Sequence, residues 1–285
     1  MAEAANDLAS DLYTGGAWLN GQLYTWGAHL RQWNAALTGS RVLTTGPFRF
    51  GTTFQGKLVL ERRGVLRWGD QVIDVNTQVI DAREATLFGR TGLLVVHRGM
   101  QLRFYERPEG LVKRWPYREI YSFYTASEQG GLVLHDVDGD GRIDILCGNY
   151  WVQSPPEFDL PWRLFAINLF NEHPQAASAR LAWHEGRLLW LESKRPQARA
   201  FWFTPPADPK QLWDSAPVGL PRPLNYPRAL LIAGGRVLVG EQNGPQSACF
   251  ALDEPRPVIT REPLHTLLDT PAGVVGIGPT AVRRL

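Results

Sequence analysis

Cysteine is scarce in this chain: Cys147 and Cys249 are the only two among 285 residues. Two cysteines exclude a scaffold held by several disulfides and a zinc site built from four thiolates. The sequence leaves open whether these two pair with each other.

Long apolar runs and an excess of charge of one sign are also missing. No stretch approaches the roughly 20 apolar residues that span a bilayer, and the first residues have neither the basic nor the apolar part of a secretion signal. We therefore expect a soluble chain with no membrane span. A chain from which a signal peptide had been removed would look the same, so a secreted or periplasmic location stays open.

With 30 Lys and Arg against 28 Asp and Glu, the formal charge is +2, which gives no reason to expect a nucleic-acid partner.

Familiar catalytic and phosphate-binding motifs are absent as well. The sequence contains no Gly-x-Ser-x-Gly, no His-Glu-x-x-His and no glycine-rich nucleotide loop. No catalytic residue and no organic cofactor is predicted. Acids such as Glu157, Asp159 or Glu185 could still act together on a polysaccharide, so an enzyme remains the third alternative.

What the sequence does contain is a repeated hairpin. An apolar strand, a glycine-bearing turn and a second apolar strand recur at intervals of about 35 to 50 residues, which is the spacing of propeller blades. The turn glycines are Gly21, Gly56, Gly92, Gly141, Gly186, Gly235 and, more weakly, Gly278. This pattern predicts an all-β fold, a single β-propeller domain over residues 1–285 with four-stranded antiparallel blades. Seven blades are preferred and six are the alternative. A strand over Leu8 to Tyr13 is expected to complete the last blade and to remove its exposed edge.

One loop carries a set of acids that suits a metal ion. Its residues run Asp136-Val-Asp138-Gly-Asp140-Gly-Arg142-Ile-Asp144, which places carboxylates at positions 1, 3, 5 and 9. Arg142, at position 7, would add its main-chain carbonyl. Six or seven oxygen ligands suit calcium better than magnesium, so the loop predicts one calcium site. An EF-hand is excluded, because position 12 is Cys147 and the flanking residues favour strands.

This acidic loop closely resembles the calcium loop of the FG-GAP, or VCBS, repeat, the blade unit of integrin α-subunit propellers. The resemblance is specific over residues 131 to 150 and general elsewhere. It implies that Asp136, Asp138, Asp140 and Asp144 are calcium ligands, that Arg142 contributes main chain only, and that the ion is structural.

Aromatic residues on proline-rich segments are the candidates for partner binding. They are Tyr150, Trp151, Phe158, Trp162 and Trp213. We assign residues 162–167 to a third strand and 149–161 to the loop after the second strand, so this aromatic segment is expected at the end of the blade opposite the acidic loop. Rigid aromatic rings suit a protein surface, and tryptophan also stacks on sugars. The sequence therefore predicts a non-catalytic, calcium-stabilised propeller that binds or assembles another protein, with a carbohydrate-binding propeller as the alternative.

Overall fold

The computed structural model describes residues 13–98, 101–122, 131–169, 179–193, 196–219, 224–241, 247–251, 258–260, 264–271 and 273–285. The regular elements within these ranges are β-strands, which form seven antiparallel sheets, six of four strands and one of three. No helix in the described ranges is long and apolar enough to cross a membrane. The all-β prediction is confirmed.

The sheets are called blades 1 to 7 in chain order. Blade 1 contains β1 (Tyr13–Leu19), β2 (Gln22–Gly27), β3 (His29–Trp33) and β4 (Ser40–Thr45), and blade 2 contains β5 (Phe48–Phe54), β6 (Lys57–Arg62), β7 (Val65–Trp68) and β8 (Gln71–Val75). Blade 3 contains β9 (Val79–Leu87), β10 (Arg90–His97), β11 (Gln101–Glu106) and β12 (Tyr117–Ser122), and blade 4 contains β13 (Leu132–His135), β14 (Asp144–Cys147), β15 (Tyr150–Gln153) and β16 (Arg163–Ala166). Blade 5 contains β17 (Ala179–His184), β18 (Arg187–Glu192), β19 (Ala200–Thr204) and β20 (Asp214–Pro217), and blade 6 contains β21 (Pro227–Ala233), β22 (Arg236–Glu241), β23 (Ser247–Ala251) and β24 (Val258–Thr260). Blade 7 contains β25 (Thr266–Thr270), β26 (Gly273–Ile277) and β27 (Val282–Arg284).

Each blade is an up-and-down meander, in which every strand pairs with the next strand in sequence. A series of such four-stranded sheets is the blade architecture of a β-propeller, and that predicted fold class is confirmed. The six four-stranded sheets match the number in the six-blade alternative, and the three-stranded blade 7 is the seventh sheet in the described ranges.

The chain divides into two compact units. Unit 1 combines residues 1–77 with 220–285 and holds blades 1, 2, 6 and 7, whereas unit 2 is residues 78–219 and holds blades 3, 4 and 5. In unit 1, the first strand β1 contacts β5 and β25, and β21 contacts β25. In unit 2, β13 contacts both β9 and β17. Within each unit, the first strands thus make most of the contacts between neighbouring blades. The prediction of a single domain stays a prediction.

Tight turns with two left-handed residues connect the first and second strands of blades 1, 2, 3, 5 and 6. At Asn20-Gly21 the φ angles are 50° and 76°, and at Glu185-Gly186 they are 48° and 75°. Two consecutive positive φ angles define the type I′ turn, whose twist matches that of the flanking strands. This requirement explains why the repeated hairpin shows a glycine at its turn.

Two predicted hairpins are displaced from their true positions. In blade 3 the turn is Phe88-Gly89, and the predicted turn residue Gly92 lies inside β10, where a Cβ would come within 2.5 Å of the Phe104 ring. In blade 7 the predicted hairpin around Gly278 joins the second and third strands, because β25 precedes it. Five of the six residues in the predicted closing strand, Leu8 to Tyr13, lie outside the described ranges, and the sixth begins β1. Completion of the last blade by this segment therefore remains a prediction.

The core of unit 2 lies between its blades. Blades 3 and 4 enclose one cluster of fully buried side chains that includes Phe104, Ile145 and Val152, and blades 4 and 5 enclose another around Trp151 and Trp190. Alternate residues of the facing strands fill these spaces, as expected for stacked sheets.

Cys147, on β14, belongs to the core cluster between blades 3 and 4 and is a free thiol. Burial raises the pKa of this thiol. The Cys249 side chain lies outside the described part of the structure. A bridge between the two cysteines is not formed.

A half-buried histidine in unit 1, His265, predicts acid sensitivity. Burial and the nearby Arg228 cation lower the pKa of His265 to about 4, and its Nε2 is sealed from solvent. In the unfolded chain the histidine pKa is near 6.5, so between about pH 6.5 and about pH 4 the unfolded chain binds a proton that the folded chain does not. The free energy of unfolding therefore decreases as pH falls through this window. Between about pH 7.5 and about pH 5.5 we expect this group to remove about 1 kcal/mol of stability.

The measurement is urea unfolding at both pH values, with His265→Gln beside the native chain. Glutamine keeps a hydrogen-bonding group next to Thr266 but does not titrate, so the variant should lose less stability on acidification. An equal loss in both proteins would show that other groups cause the acid sensitivity.

Candidate metal centre

The acidic loop, residues 136–143, connects β13 to β14, the first two strands of blade 4. This is the connection in which the sequence places it. Gly139 and Gly141 have φ angles of 70° and 85°, a backbone conformation that side chains with a Cβ rarely adopt. The two glycines curl the loop back on itself, so that carboxylates separated by two or more residues face one another.

Three of the four predicted carboxylates converge. One ligand oxygen each from Asp136, Asp138 and Asp144 lie within 4.8 Å of one another. Calcium binds oxygen at about 2.3 to 2.6 Å, so two ligands on opposite sides of one ion are separated by about 4.6 to 5.2 Å. The spacing of the three oxygens therefore fits a single calcium ion among them.

Asp136 organises the loop backbone. Its two carboxylate oxygens accept hydrogen bonds from the amides of Asp140 at 3.1 Å and Gly141 at 2.9 Å. These bonds close the turn at the loop tip and orient the Asp136 carboxylate toward the loop interior. The same residue is thus both a candidate ligand and the local scaffold.

Asp140, the fourth predicted ligand, is not in the converging set. Its carboxylate forms an ion pair with the Arg142 guanidinium and accepts the Arg142 amide at 2.9 Å. The Arg142 side chain is therefore paired with Asp140. This agrees with the expectation that Arg142 would contribute only its main-chain carbonyl to the metal. For Asp140 to become a ligand, it must exchange this guanidinium for the ion.

Asp144 anchors the site in the blade. It is fully buried at the first position of β14, and its oxygens accept the Ser154 amide at 2.7 Å and the Val137 amide at 3.2 Å. Burial raises the pKa of Asp144 to about 6, although these hydrogen bonds oppose the shift and the nearby Asp138 charge adds to it. A divalent cation would favour the charged form of this buried carboxylate.

Gln153 and Ser154 also belong to the site, and sequence reasoning missed them. They end and follow β15, which returns alongside β14 to the acidic loop. The Gln153 side-chain amide donates to Asp138 at 2.6 Å, and the Ser154 hydroxyl donates to the Ile143 carbonyl. The second Asp138 oxygen is sealed from solvent with no hydrogen-bond partner in the described ranges, which leaves it free for an ion.

The five predicted partner-binding aromatic residues are mostly part of the core. The relative exposures of Trp151, Phe158, Trp162 and Trp213 are 0%, 6%, 5% and 5%, and Tyr150 is half-buried. Their burial contradicts the prediction that these rings form an exposed surface. Phe158 and Trp162 belong to the core cluster between blades 3 and 4, and Trp151 and Trp213 to the cluster between blades 4 and 5.

The predicted direction of the aromatic segment is also wrong. Residues 150–153 form the third strand and 163–166 the fourth, so residues 154–162 are the loop between them. In an antiparallel meander this loop lies at the same end as the connection between the first two strands. The contacts of Gln153 and Ser154 with the acidic loop confirm that the two loops are adjacent.

The three blades of unit 2 have the same orientation. The Leu132 amide, at the start of β13, donates to Asp81 near the start of β9 at 3.0 Å. At the end of β13, the His135 ring stacks on the ring of Trp183, which lies near the end of β17, with centroids 4.1 Å apart. The connections between first and second strands and between third and fourth strands of all three blades therefore share one end of unit 2. We call this the acidic-loop end.

Solved structures with a similar fold are β-propellers. The extracellular domain of BT4673 from B. thetaiotaomicron is similar to the chain with a TM-score of 0.63 and 10% identity over 95% of this chain and 38% of that one. YCF48 from Cyanidioschyzon merolae gives a TM-score of 0.60 at 9% identity, over 96% of this chain and 94% of its own. The AfRom2 CNH domain gives 0.60 at 10% identity, over 95% of this chain and 91% of its own. The chain thus spans little more than a third of the BT4673 domain, and identities this low show the fold alone.

No protein-family model matches the chain, and no curated protein sequence matches it either. The propeller part of the sequence-based resemblance is confirmed by the fold. The FG-GAP or VCBS part rests on the acidic loop.

Proposed function

We propose that this chain is a non-catalytic β-propeller that binds or assembles another protein and is stabilised by one calcium ion. The observation that carries the proposal is the acidic-loop end of unit 2. There, the candidate ion site lies among loops that present apolar side chains to solvent.

These exposed apolar residues come from successive connections of the three blades. The Leu111 side chain, between the third and fourth strands of blade 3, has a relative exposure of 93%, and Leu212, in the same connection of blade 5, is 50% exposed. Others at this end are Phe88, Val112, Ile143 and Leu160. Several large apolar side chains exposed at one end of a folded unit are typical of a protein interaction surface.

A protein partner fits this surface better than a sugar does. Carbohydrate recognition by stacking relies above all on exposed tryptophan, yet all eleven tryptophans, each within the described ranges, are buried or half-buried. Two other aromatic rings, those of Phe88 and Tyr117, are exposed at this end. Most of the exposed apolar residues at this end are aliphatic, which suits the apolar centre of a protein interface better than a sugar.

The acids considered for polysaccharide chemistry have ordinary surface contacts. Asp159 pairs with Arg118 at 3.0 Å, and Glu185 lies 3.8 Å from the neighbouring His184. The proposal therefore assigns them no catalytic role.

Calcium would stabilise the loops that carry the exposed apolar residues, without contacting the partner. Two loops that present apolar side chains meet at the ion site: Ile143 is part of the acidic loop, and Leu160 follows the segment that Gln153 and Ser154 attach to it. An ion held by Asp136, Asp138 and Asp144 would stiffen both loops and reduce the entropy lost on binding a partner.

The test is affinity capture from an extract of the source organism, with calcium or with chelator. The native chain is compared with Leu111→Glu/Leu212→Glu and with the control Val42→Glu, whose substituted residue is 46% exposed in blade 1 of the other unit. We expect a protein captured by the native chain and the control and lost with the double variant. Capture that survives the double variant would remove this surface from the proposal.

A further inference from the structure

Unit 1 contains a cleft of about 980 Å³ between blades 1 and 2. It is lined by Leu19, Tyr24 and Leu30 on blade 1 and by residues of β5, β6 and β7 on blade 2. At one end the turns of the two blades meet, where the Asn20 side chain donates to the Gly56 carbonyl at 3.5 Å. The cleft lies within one unit and is separate from the acidic loop, which is in the other.

The floor of the cleft is apolar and incompletely covered. On β6 and β7 of blade 2, one face carries Val59 and Leu66, both 0% exposed. The other face carries Leu58, Leu60 and Val65, which line the cleft and are only half-buried. Adjacent propeller blades usually bury such side chains against each other. Here a gap in the packing leaves apolar surface accessible from solvent.

The walls of the cleft are cationic. Lys57, Arg62, Arg63 and Arg67 line it, and the one acid that lines it is Asp70, so four positive charges face one negative charge. The register pairs Leu60 with Arg67 and Val65 with Arg62, which places these arginines beside the apolar floor.

Little on the protein neutralises these cations. Within the described ranges none of the four forms an ion pair. Lys57 lies over the Trp68 ring at 4.3 Å, Arg67 donates to the Asp70 main-chain carbonyl at 3.2 Å, and the Arg62 guanidinium lies 5.8 Å from the Phe48 ring centre. Arg63 and Arg67 are exposed, so their guanidinium groups are accessible to a ligand.

We propose that this cleft binds a small organic anion: a carboxylate, phosphate or sulfonate group attached to an apolar, aromatic-sized body. The body would lie on Leu58, Leu60 and Val65, and the anionic group would be held by Arg63 and Arg67. Arginine binds planar anionic groups through two parallel hydrogen bonds, and unpaired cations beside an apolar floor concentrate such ligands. The volume is within the range of about 300 to 1,000 Å³ typical of small-molecule sites.

The experiment is calorimetric titration with anilinonaphthalene sulfonate, a probe that combines an aromatic body with an anion. The native chain is compared with Arg63→Gln/Arg67→Gln and with the control Arg49→Gln, whose arginine is exposed on β5 of the same blade but does not line the cleft. All three positions are exposed, so each variant should fold, and thermal melting checks this.

We expect saturable binding near one equivalent. It should weaken about five- to tenfold in the double variant, which loses two exposed charge contacts, and less than about twofold in the control. Inorganic phosphate, which has the charge without the body, and naphthol, which has the body without the charge, should each bind at least about tenfold more weakly. The proposal is overturned if the double variant binds the probe as tightly as the native chain does, or if the control variant loses as much affinity as the double variant. It is also overturned if phosphate or naphthol alone binds as tightly as anilinonaphthalene sulfonate.

Discussion

Calcium is expected to raise the melting temperature of this protein, and a chelator is expected to lower it. An ion that binds only the folded chain stabilises it by RT ln(1 + [L]/Kd), which is about 2.7 kcal/mol when calcium is at 100 times Kd. For a chain of this size that corresponds to about 5 to 10 °C. The measurement is thermal unfolding with calcium and with chelator.

The variant Asp138→Ala should abolish the difference between the two conditions. Asp138 contributes one converging carboxylate and holds a sealed oxygen that has no hydrogen-bond partner in the described ranges, so its loss removes a ligand but few contacts. The matched control is Asp214→Ala, which removes an exposed acid from β20 of the same unit. If the control loses the calcium response as well, the effect is one of net charge. A native chain whose melting is indifferent to calcium would end the metal assignment.

The acidic loop could be predicted from sequence because its ligands lie close together along the chain. Spacing alone brings Asp136, Asp138 and Asp144 together once two glycines let the backbone turn. Gln153 and Ser154 could not be predicted in this way, because they reach the site only through the pairing of β15 with β14. Assigning Asp140 as a ligand assumed that no local cation competes, and Arg142 does compete.

The misplaced aromatic segment has a local cause. Gly148 and Asn149 form the tight turn between β14 and β15, so the short run 150–153 is already the third strand. A Gly-Asn pair between apolar runs is a recognised hairpin signal that the sequence offered. In blade 3 no such signal was present, since the turn places Phe88 at a φ of 52°, a conformation that an aromatic residue seldom adopts.

The loop between β15 and β16 packs on blade 3, and the Phe158 ring makes several of its contacts. Phe158 is 6% exposed and packs on Phe104 and Phe88 of blade 3, with ring centres 5.5 and 5.9 Å apart. The Arg90 and Arg118 guanidinium groups lie 4.9 and 5.3 Å from the same ring. Because Gln153 and Ser154 begin this loop at the ion site, the ring and the metal centre stabilise one continuous segment.

Replacing Phe158 by alanine should therefore destabilise the protein by about 3 to 5 kcal/mol, the usual cost of removing a buried aromatic side chain. The measurement is urea unfolding in calcium. The control is Leu160→Ala, two residues along the same loop and 42% exposed, which should change stability by less than about 0.5 kcal/mol. If instead Phe158→Ala leaves stability near that of the control and abolishes capture of the partner, the ring binds the partner as the sequence predicted. If Phe158→Ala lowers the free energy of unfolding but the folded variant still captures the partner, Phe158 stabilises the packing between blades 3 and 4 and does not bind the partner.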